Sequence, residues 1–202
     1  IIVVEDNPGD YILIEDYLIE MFRNVTIKQF ANYKSASSFL KSEDCKCDLI
    51  LLDLHLPDMG GIELIKNMIA LSSQIPIIIL TGYGDLPLAK KSLELGVYDF
   101  LVKDEVNPTL LHKSVEFALS RSSYFEQIEN QNEKLRNIAW TQSHMVRATL
   151  ARMLGLIDMI ESLNEGTGDL SFWLDHLKFS STELDEIVCN IVKKTQKLNI
   201  NK

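Results

Sequence analysis

The chain has 202 residues, 46% of them hydrophobic and 24% charged, and a formal net charge of −9 at neutral pH. That supplies a sizeable core for one or two globular domains, and the negative balance argues against nucleic acid or an anionic membrane as a partner held by bulk electrostatics. No apolar run approaches the roughly 20 residues of a membrane span, no signal-peptide pattern is present, and three cysteines without a disulfide framework (Cys45, Cys47, Cys189) suit a reducing, cytoplasmic setting.

Ile1 already lies inside an apolar run, so the natural chain is expected to begin earlier. Ile1 to Val4 reads as a strand that exits on Glu5-Asp6, and Asn7-Pro8-Gly9 is a turn signal. A helical pattern follows through Ile12, Ile14, Leu18 and Phe22, then a strand-like alternation over Thr26 to Phe30 and a short helix over Ser35 to Leu40. Cys45-x-Cys47 has no second ligand pair near it, which favours plain thiols over a metal site. Leu49 to Leu52 is a fully apolar strand that ends on Asp53, and Pro57, Gly60 and Gly61 break the chain before the next helix over Ile62 to Ile69. Pro76 opens the apolar strand Ile77 to Leu80, which exits on Thr81-Gly82. A helix over Leu88 to Leu95 stops at Gly96, and the strand Asp99 to Val102 exits on Lys103. Strands alternating with helices, most of the strands apolar on both faces, predict a parallel sheet covered by helices on both sides.

In such a sheet, ligands bind beyond the carboxyl ends of the strands. The exits carry Glu5 and Asp6, Asp53, Thr81 and Lys103: three carboxylates, a hydroxyl and an ammonium on one rim. Crowded carboxylates call for a cation, and oxygen ligands with room for water favour a hard ion such as Mg²⁺. A carboxylate neutralised in this way can attack a phosphoryl group, with the hydroxyl and ammonium binding the phosphoryl oxygens. Each residue also has a plainer reading: Asp6 as a helix cap, Thr81 as a turn residue, Lys103 as a solvated end. Five such residues in strand order on one rim favour the chemical reading.

Glu5-Asp6, Asp53 with Leu-Pro-Asp-Met-x-Gly after it, Thr81-Gly82 and Asp-Phe-Leu-x-Lys103 resemble a two-component response-regulator receiver domain over residues 1 to about 121. The resemblance implies an α/β, flavodoxin-like, doubly wound five-stranded parallel fold and Mg²⁺ held by Glu5, Asp6, Asp53 and the backbone carbonyl of His55. It also implies phosphorylation at Asp53, assisted by Lys103 and Thr81, with Thr81 and Phe100 as the switch pair. One departure is Asp104, where the family usually has proline; an extra carboxylate there would weaken the grip of Lys103 on a phosphoryl group. His55, two residues beyond Asp53, is read as a gatekeeper against water.

From Pro108 to Leu163 no proline interrupts the chain, and the only glycine is Gly155. Three-four spacing of Phe125, Ile128, Leu135, Ala139, Val146, Met153, Leu156, Ile160 and Leu163 predicts a coiled-coil seam, with Asn132, Gln142 and Thr149 as polar interruptions. Unbroken, that helix would be about 80 Å long. Asn164 to Asp169 reads as a turn, and a second seam follows through Leu174, Leu177, Ser181, Leu184, Val188, Ile191, Thr195 and Leu198. Two copies of such a hairpin can bury faces this wide as a four-helix bundle, which predicts a homodimer. The expected organisation is a receiver over 1–121, a coiled-coil linker over 122–140 and an antiparallel helical hairpin over 141–202.

Ser-His-x-Val-Arg-x-x-Leu-x-Arg-x-Leu-Gly-Leu, beginning at Ser143, resembles the phosphoacceptor box of histidine-kinase dimerisation and phosphotransfer domains, and Leu184-Asp185-Glu186-Ile187-Val188 resembles the matching part of their second helix. His144 would then be the phosphohistidine. Met145 stands where the family has an acidic general base, Ala148 where Thr or Asn orients water, and Thr149 where proline is usual. With four residues after Leu198 and no ATP-binding domain, autokinase activity is not expected; a histidine phosphotransferase remains open. Two readings follow: a phosphorelay through Asp53 and His144, supplied by an upstream histidine kinase or phosphotransfer protein and able to serve a downstream receiver; or a phospho-switched dimer whose bundle only dimerises or binds a partner, with His144 inert.

Overall fold

Five short strands pair in parallel through their backbones: β1 (Ile2–Val4), β2 (Lys28–Phe30), β3 (Ile50–Asp53), β4 (Ile77–Thr81) and β5 (Asp99–Val102), in the order β2-β1-β3-β4-β5. The computed structural model describes every residue except 44, 73, 162–169 and 200–202, and the side chains of 161, 170 and 192–199 likewise lie outside the described set. Six helices complete it: α1 (Pro8–Met21), α2 (Tyr33–Leu40), α3 (Gly61–Ser72), α4 (Leu86–Leu95), α5 (Pro108–Glu161) and α6 (Leu170–Asn199). The chain divides into two compact units, Ile1–Ile128 and Glu129–Lys202.

In the first unit, the period of two along each strand sorts the apolar residues into two cores. Ile2, Val4, Ile50, Leu52, Ile77 and Ile79 join Ala36, Leu64, Ile65 and Met68 from α2 and α3, with Leu88 and Leu95 of α4 packed alongside. Val3, Leu51, Ile78, Leu80 and Leu101 face the other way, onto Ile14 and Leu18 of α1 and Leu111, Val115 and Ala118 of α5. Burial on both faces explains the unbroken apolar runs read in the sequence. β5 is an edge strand with additional ties to α5: Ser114 Oγ donates to Asp99 Oδ2 at 2.5 Å, and the Arg121 guanidinium lies 5.2 Å from the centre of the Tyr98 ring.

Local chemistry sets the helix ends. Asn7, rather than Asp6, caps α1: its side chain accepts from the Gly9 amide, and Pro8 fills the first turn where no donor is needed. Gly96 ends α4 at φ 110°, a left-handed conformation that costs a residue with a Cβ roughly 1 kcal/mol or more. α2 is capped twice, by Asn32 from its own segment and by Asp58 from the loop after β3, whose carboxylate accepts from the amides of Tyr33 (2.9 Å) and Lys34 (2.8 Å).

In the second unit, α5 turns Ile138, Gln142, Val146, Met153, Leu156 and Ile160 partly inward and buries Thr149, whose hydroxyl donates to the Met145 carbonyl at 3.2 Å. Of the predicted seam, Gln142, Val146, Thr149, Met153, Leu156 and Ile160 turn inward, whereas Phe125, Ile128, Asn132, Leu135 and Ala139 are exposed in the single chain and Ile138 is half-buried instead. On α6 the partly or fully buried stripe is Trp173, Leu177, Ser180, Leu184, Ile187 and Ile191, so Leu174, Ser181 and Val188 of the predicted seam are exposed. Arg152 and Glu183 join the two helices by an ion pair of 2.9 Å. The predicted turn Asn164 to Asp169, Leu163, and the side chains of Thr195 and Leu198 lie outside the described residues. Among the described residues no helix is long and apolar enough to cross a membrane.

Slight burial works against ionisation of Asp58, but the Lys34 and Tyr33 amides outweigh it and hold the carboxyl below its ordinary value. Its contribution is therefore present above the unfolded carboxylate range and lost as pH falls through the lower folded value. Asp58→Ala should cost about 0.5–1 kcal/mol at pH 7, with the solvent exposure of the group keeping it at the low end. Denaturant unfolding at several pH values should show the gap to wild type closing in acid.

Candidate active site

Every rim residue predicted from the strand exits is where that prediction places it. Glu5 and Asp6 follow β1, Asp53 and Thr81 are the last residues of β3 and β4, and Lys103 follows β5. β1 and β3 are neighbours whose onward connections lead to opposite edges of the sheet, which opens a crevice between their carboxyl ends. Oxygens of Glu5, Asp6 and Asp53 all lie within 4.8 Å of one another there. Glu5 is wholly buried, Asp53 is 5% exposed and Asp6 is open to solvent.

Lys103 is the counter-ion. Its ammonium lies 2.7 Å from Glu5 Oε2, 2.9 Å from Asp10 Oδ2 and 3.2 Å from Asp53 Oδ2. Burial works against this charge, but the close contacts with Glu5 and Asp10 and the fields of Asp53 and Glu5 outweigh it and raise the ammonium above its ordinary value. Burial raises the Glu5 carboxyl, as does the charge of Asp53; the close Lys103 ammonium pulls the other way without cancelling them. Glu5 Oε1 accepts the Asn7 amide at 3.1 Å, whereas Oε2 is a buried oxygen whose approach to Lys103 lacks hydrogen-bond geometry. A buried under-coordinated carboxylate oxygen beside two more carboxylates is a donor set that fits a hard divalent cation.

Thr81 is buried on the sheet face of Ile77 and Ile79, the face against which Phe100 also packs, and its hydroxyl donates to the Gly82 carbonyl at 3.2 Å. His55 is exposed, with Nε2 2.7 Å from Asp85 Oδ2, and Tyr83 donates to Glu105 at 2.6 Å, so the loop after β4 is fastened on both sides. Asp104 is exposed and makes no ion pair with Lys103 among the described residues; the additional carboxylate on the ammonium is Asp10. Sequence reasoning missed Asp10, Asp85 and Glu105. None follows an apolar strand directly, although Asp10 does lie one turn into α1 from Glu5-Asp6. His144 belongs to the second unit, exposed, with its ring 4.2 Å from that of Trp140, its i−4 neighbour on α5.

A family model of the response regulator receiver domain matches residues 1–116. The chain belongs to the response-regulator receiver family. It is 28% identical to the transcriptional regulatory protein FixJ of Rhizobium meliloti over 123 residues, which is 59% of this chain and 60% of FixJ. With the response regulator protein TodT of Pseudomonas putida it shares 38% over 72 residues, 35% of this chain and 32% of TodT. The cyclic di-GMP phosphodiesterase response regulator RpfG of Xanthomonas campestris is 28% identical over 152 residues, 74% of this chain and 38% of RpfG. The chain thus spans between about a third and 60% of the length of these relatives. Among solved structures, the signal receiver domain of a LuxO repressor protein from Vibrio parahaemolyticus superposes with a TM-score of 0.53 at 30% identity, covering 63% of this chain and 95% of that one. NtrX from Brucella abortus does so with a TM-score of 0.57 at 21% identity over 64% of this chain and 28% of NtrX, a likeness of fold alone. Receiver domains bind Mg²⁺ in an acidic pocket and interact with histidine kinases or phosphotransfer partners, and the receiver described here has the acidic cluster such a pocket requires.

Loss of one of three carboxylates should weaken Mg²⁺ binding strongly. Calorimetric titration of Asp53→Asn should give an affinity roughly tenfold or more below wild type. Because the raised Glu5 carboxyl takes up its proton early, wild-type Mg²⁺ affinity should begin to fall above the ordinary carboxylate range as the pH is lowered.

Proposed function

We infer that this chain is a two-component signalling protein in which Asp53 accepts a phosphoryl group and His144 exchanges one with a receiver. The observation that carries the reading is the convergence of Glu5, Asp6 and Asp53 within 4.8 Å, with the Lys103 ammonium 3.2 Å from Asp53. An Asp53 carboxylate oxygen attacks phosphorus, the bond from phosphorus to the donor breaks, and the donor atom keeps the electron pair and later takes a proton. Glu5, Asp6, Asp53 and the His55 carbonyl would hold Mg²⁺, which would supply charge neutralisation for that attack. Lys103 receives one phosphoryl oxygen. Thr81 turns its hydroxyl from the Gly82 carbonyl to another, and Phe100, on the same face, takes up the space beside it; this is the switch.

His144 is an exposed imidazole on α5, open to approach by a phosphorylated receiver, which would bring its own carboxylates and lysine to the reaction. The second reading, an inert His144 in a bundle that only dimerises, is favoured by Met145 and Ala148, neither of which can act as a base or orient water. In either reading the bundle pairs with a second copy. Leu150, Leu154, Ile157 and Val188 are exposed in the single chain, and Leu154 is 61% exposed.

The full chain should be incubated with Mg²⁺ and acetyl phosphate as wild type, Asp53→Ala and His144→Ala, and in a second run with a phosphorylated partner receiver. Acid and base stability distinguish acyl phosphate from phosphohistidine. Label is expected on Asp53 from acetyl phosphate and on His144 from the partner receiver; label confined to Asp53 by both routes would leave the phospho-switched dimer. Sedimentation should give twice the chain mass for wild type, and Leu154→Glu should shift the protein toward the monomer.

A further inference from the structure

Lys103 is enclosed by carboxylates. Three carboxylate oxygens stand within ion-pair distance of its ammonium, Glu5 Oε2 at 2.7 Å, Asp10 Oδ2 at 2.9 Å and Asp53 Oδ2 at 3.2 Å, and the one that accepts a hydrogen bond from it with good geometry is Asp10. A phosphoryl oxygen arriving on Asp53 has to draw the ammonium toward itself and away from these partners. Asp53 is the group being modified. Glu5 is wholly buried and belongs to the carboxylate cluster suited to the cation. Asp10 stands outside that cluster, and its side chain is 38% exposed, so water can take over its hydrogen bond at small cost. It also comes from the first turn of α1, 93 residues from Lys103 in sequence.

We propose that Asp10 is a positioning residue: it holds the Lys103 ammonium in the unphosphorylated state and gives it up to the phosphoryl group, so that it sets how readily Asp53 is loaded. The proposal rests on Asp53 being the phosphoacceptor and adds a residue that opposes loading. Asp10 acts in two ways of the same sign. It competes for a donor that the phosphoryl oxygens need, and its negative charge repels them. Asn at this position keeps the shape and a hydrogen-bonding oxygen but removes the charge.

The test uses the full chain with Mg²⁺ and two probes: acetyl phosphate, with label at Asp53 followed by mass spectrometry, and beryllium trifluoride as a non-transferable phosphoryl mimic, with binding followed by fluorine NMR. Wild type is compared with Asp10→Asn, Asp10→Glu, Lys103→Gln and the Asp10→Asn/Lys103→Gln double variant. Asp10→Asn should raise the affinity for the mimic and the loading rate by about fivefold, the scale of a partly exposed ion pair. Asp10→Glu should return both toward wild type, and the gain should vanish in the Lys103→Gln background. An Asp10→Asn protein with unchanged thermal melting and wild-type affinity overturns the proposal. So does an equal gain without Lys103, because Asp10 would then not act through the ammonium. If Asp10→Asn melts early, Asp10→Ser makes the same comparison. Wild type unlabelled by acetyl phosphate and indifferent to the mimic would overturn the phosphoacceptor reading itself, and the role of Asp10 with it.

Discussion

One ammonium makes the rim of the sheet tenable. Glu5, Asp10 and Asp53 each approach Lys103 within an ion-pair distance, and two of them are almost wholly withdrawn from water. Without a cation the buried carboxylates would repel one another in a region of low dielectric and take up protons instead. Burial first, and then the charge of Asp53, keep the Glu5 carboxyl raised even beside Lys103, and its Oε2 has no hydrogen-bond partner among the described residues. The site is thus built with a residual need for positive charge, which suits the binding of a cation.

The strands deliver these groups to one place because a parallel sheet brings all its carboxyl ends to one side. Two apolar cores, sorted by the period of two along each strand, fix every exit residue to within a fraction of a residue's rise. The loops are then held by specific polar contacts: Asp58 on the first turn of α2, Asp85 on His55, Glu105 on Tyr83. These contacts are exposed and individually weak, so the loops are held less firmly than the strands beneath them.

Whatever was legible in the sequence was legible through periodicity. Apolar runs located β1, β3 and β4, and the polar residue ending each run is a rim residue, so Glu5, Asp6, Asp53, Thr81 and Lys103 could be read without coordinates. Residues that approach the rim from helices and loops could not. Asp10 sits in a helical first turn, where an acid is ordinarily explained by the helix dipole, and nothing local announces that Asp85 meets His55. The plainer reading of Asp6 as a helix cap is not taken up: Asp and Asn are near-equal caps, and the turn geometry chose Asn7. In the second unit, the residues that turn inward within the single chain are only part of the predicted seams on both α5 and α6. On α6, Ile187 and Val188, like Ser180 and Ser181, are adjacent residues of similar character, and a pattern cannot say which of each pair turns inward.

The two cores on either side of the sheet also act as a partition. Thr81 and Phe100 share a face with α2, α3 and α4, whereas α5 packs on the opposite face with α1. A layer of hydrogen-bonded backbone between them does not transmit side-chain repacking as directly as contact between side chains does. The route round it is the edge strand β5, where Phe100 lies on one face while Asp99 holds Ser114 and Tyr98 meets Arg121 on the other. β5 with the residue before it is therefore the place where the rim side of the sheet and the long helix are joined by polar contacts, and the residues that make that join, Asp99 and Tyr98, lie away from the carboxylate cluster.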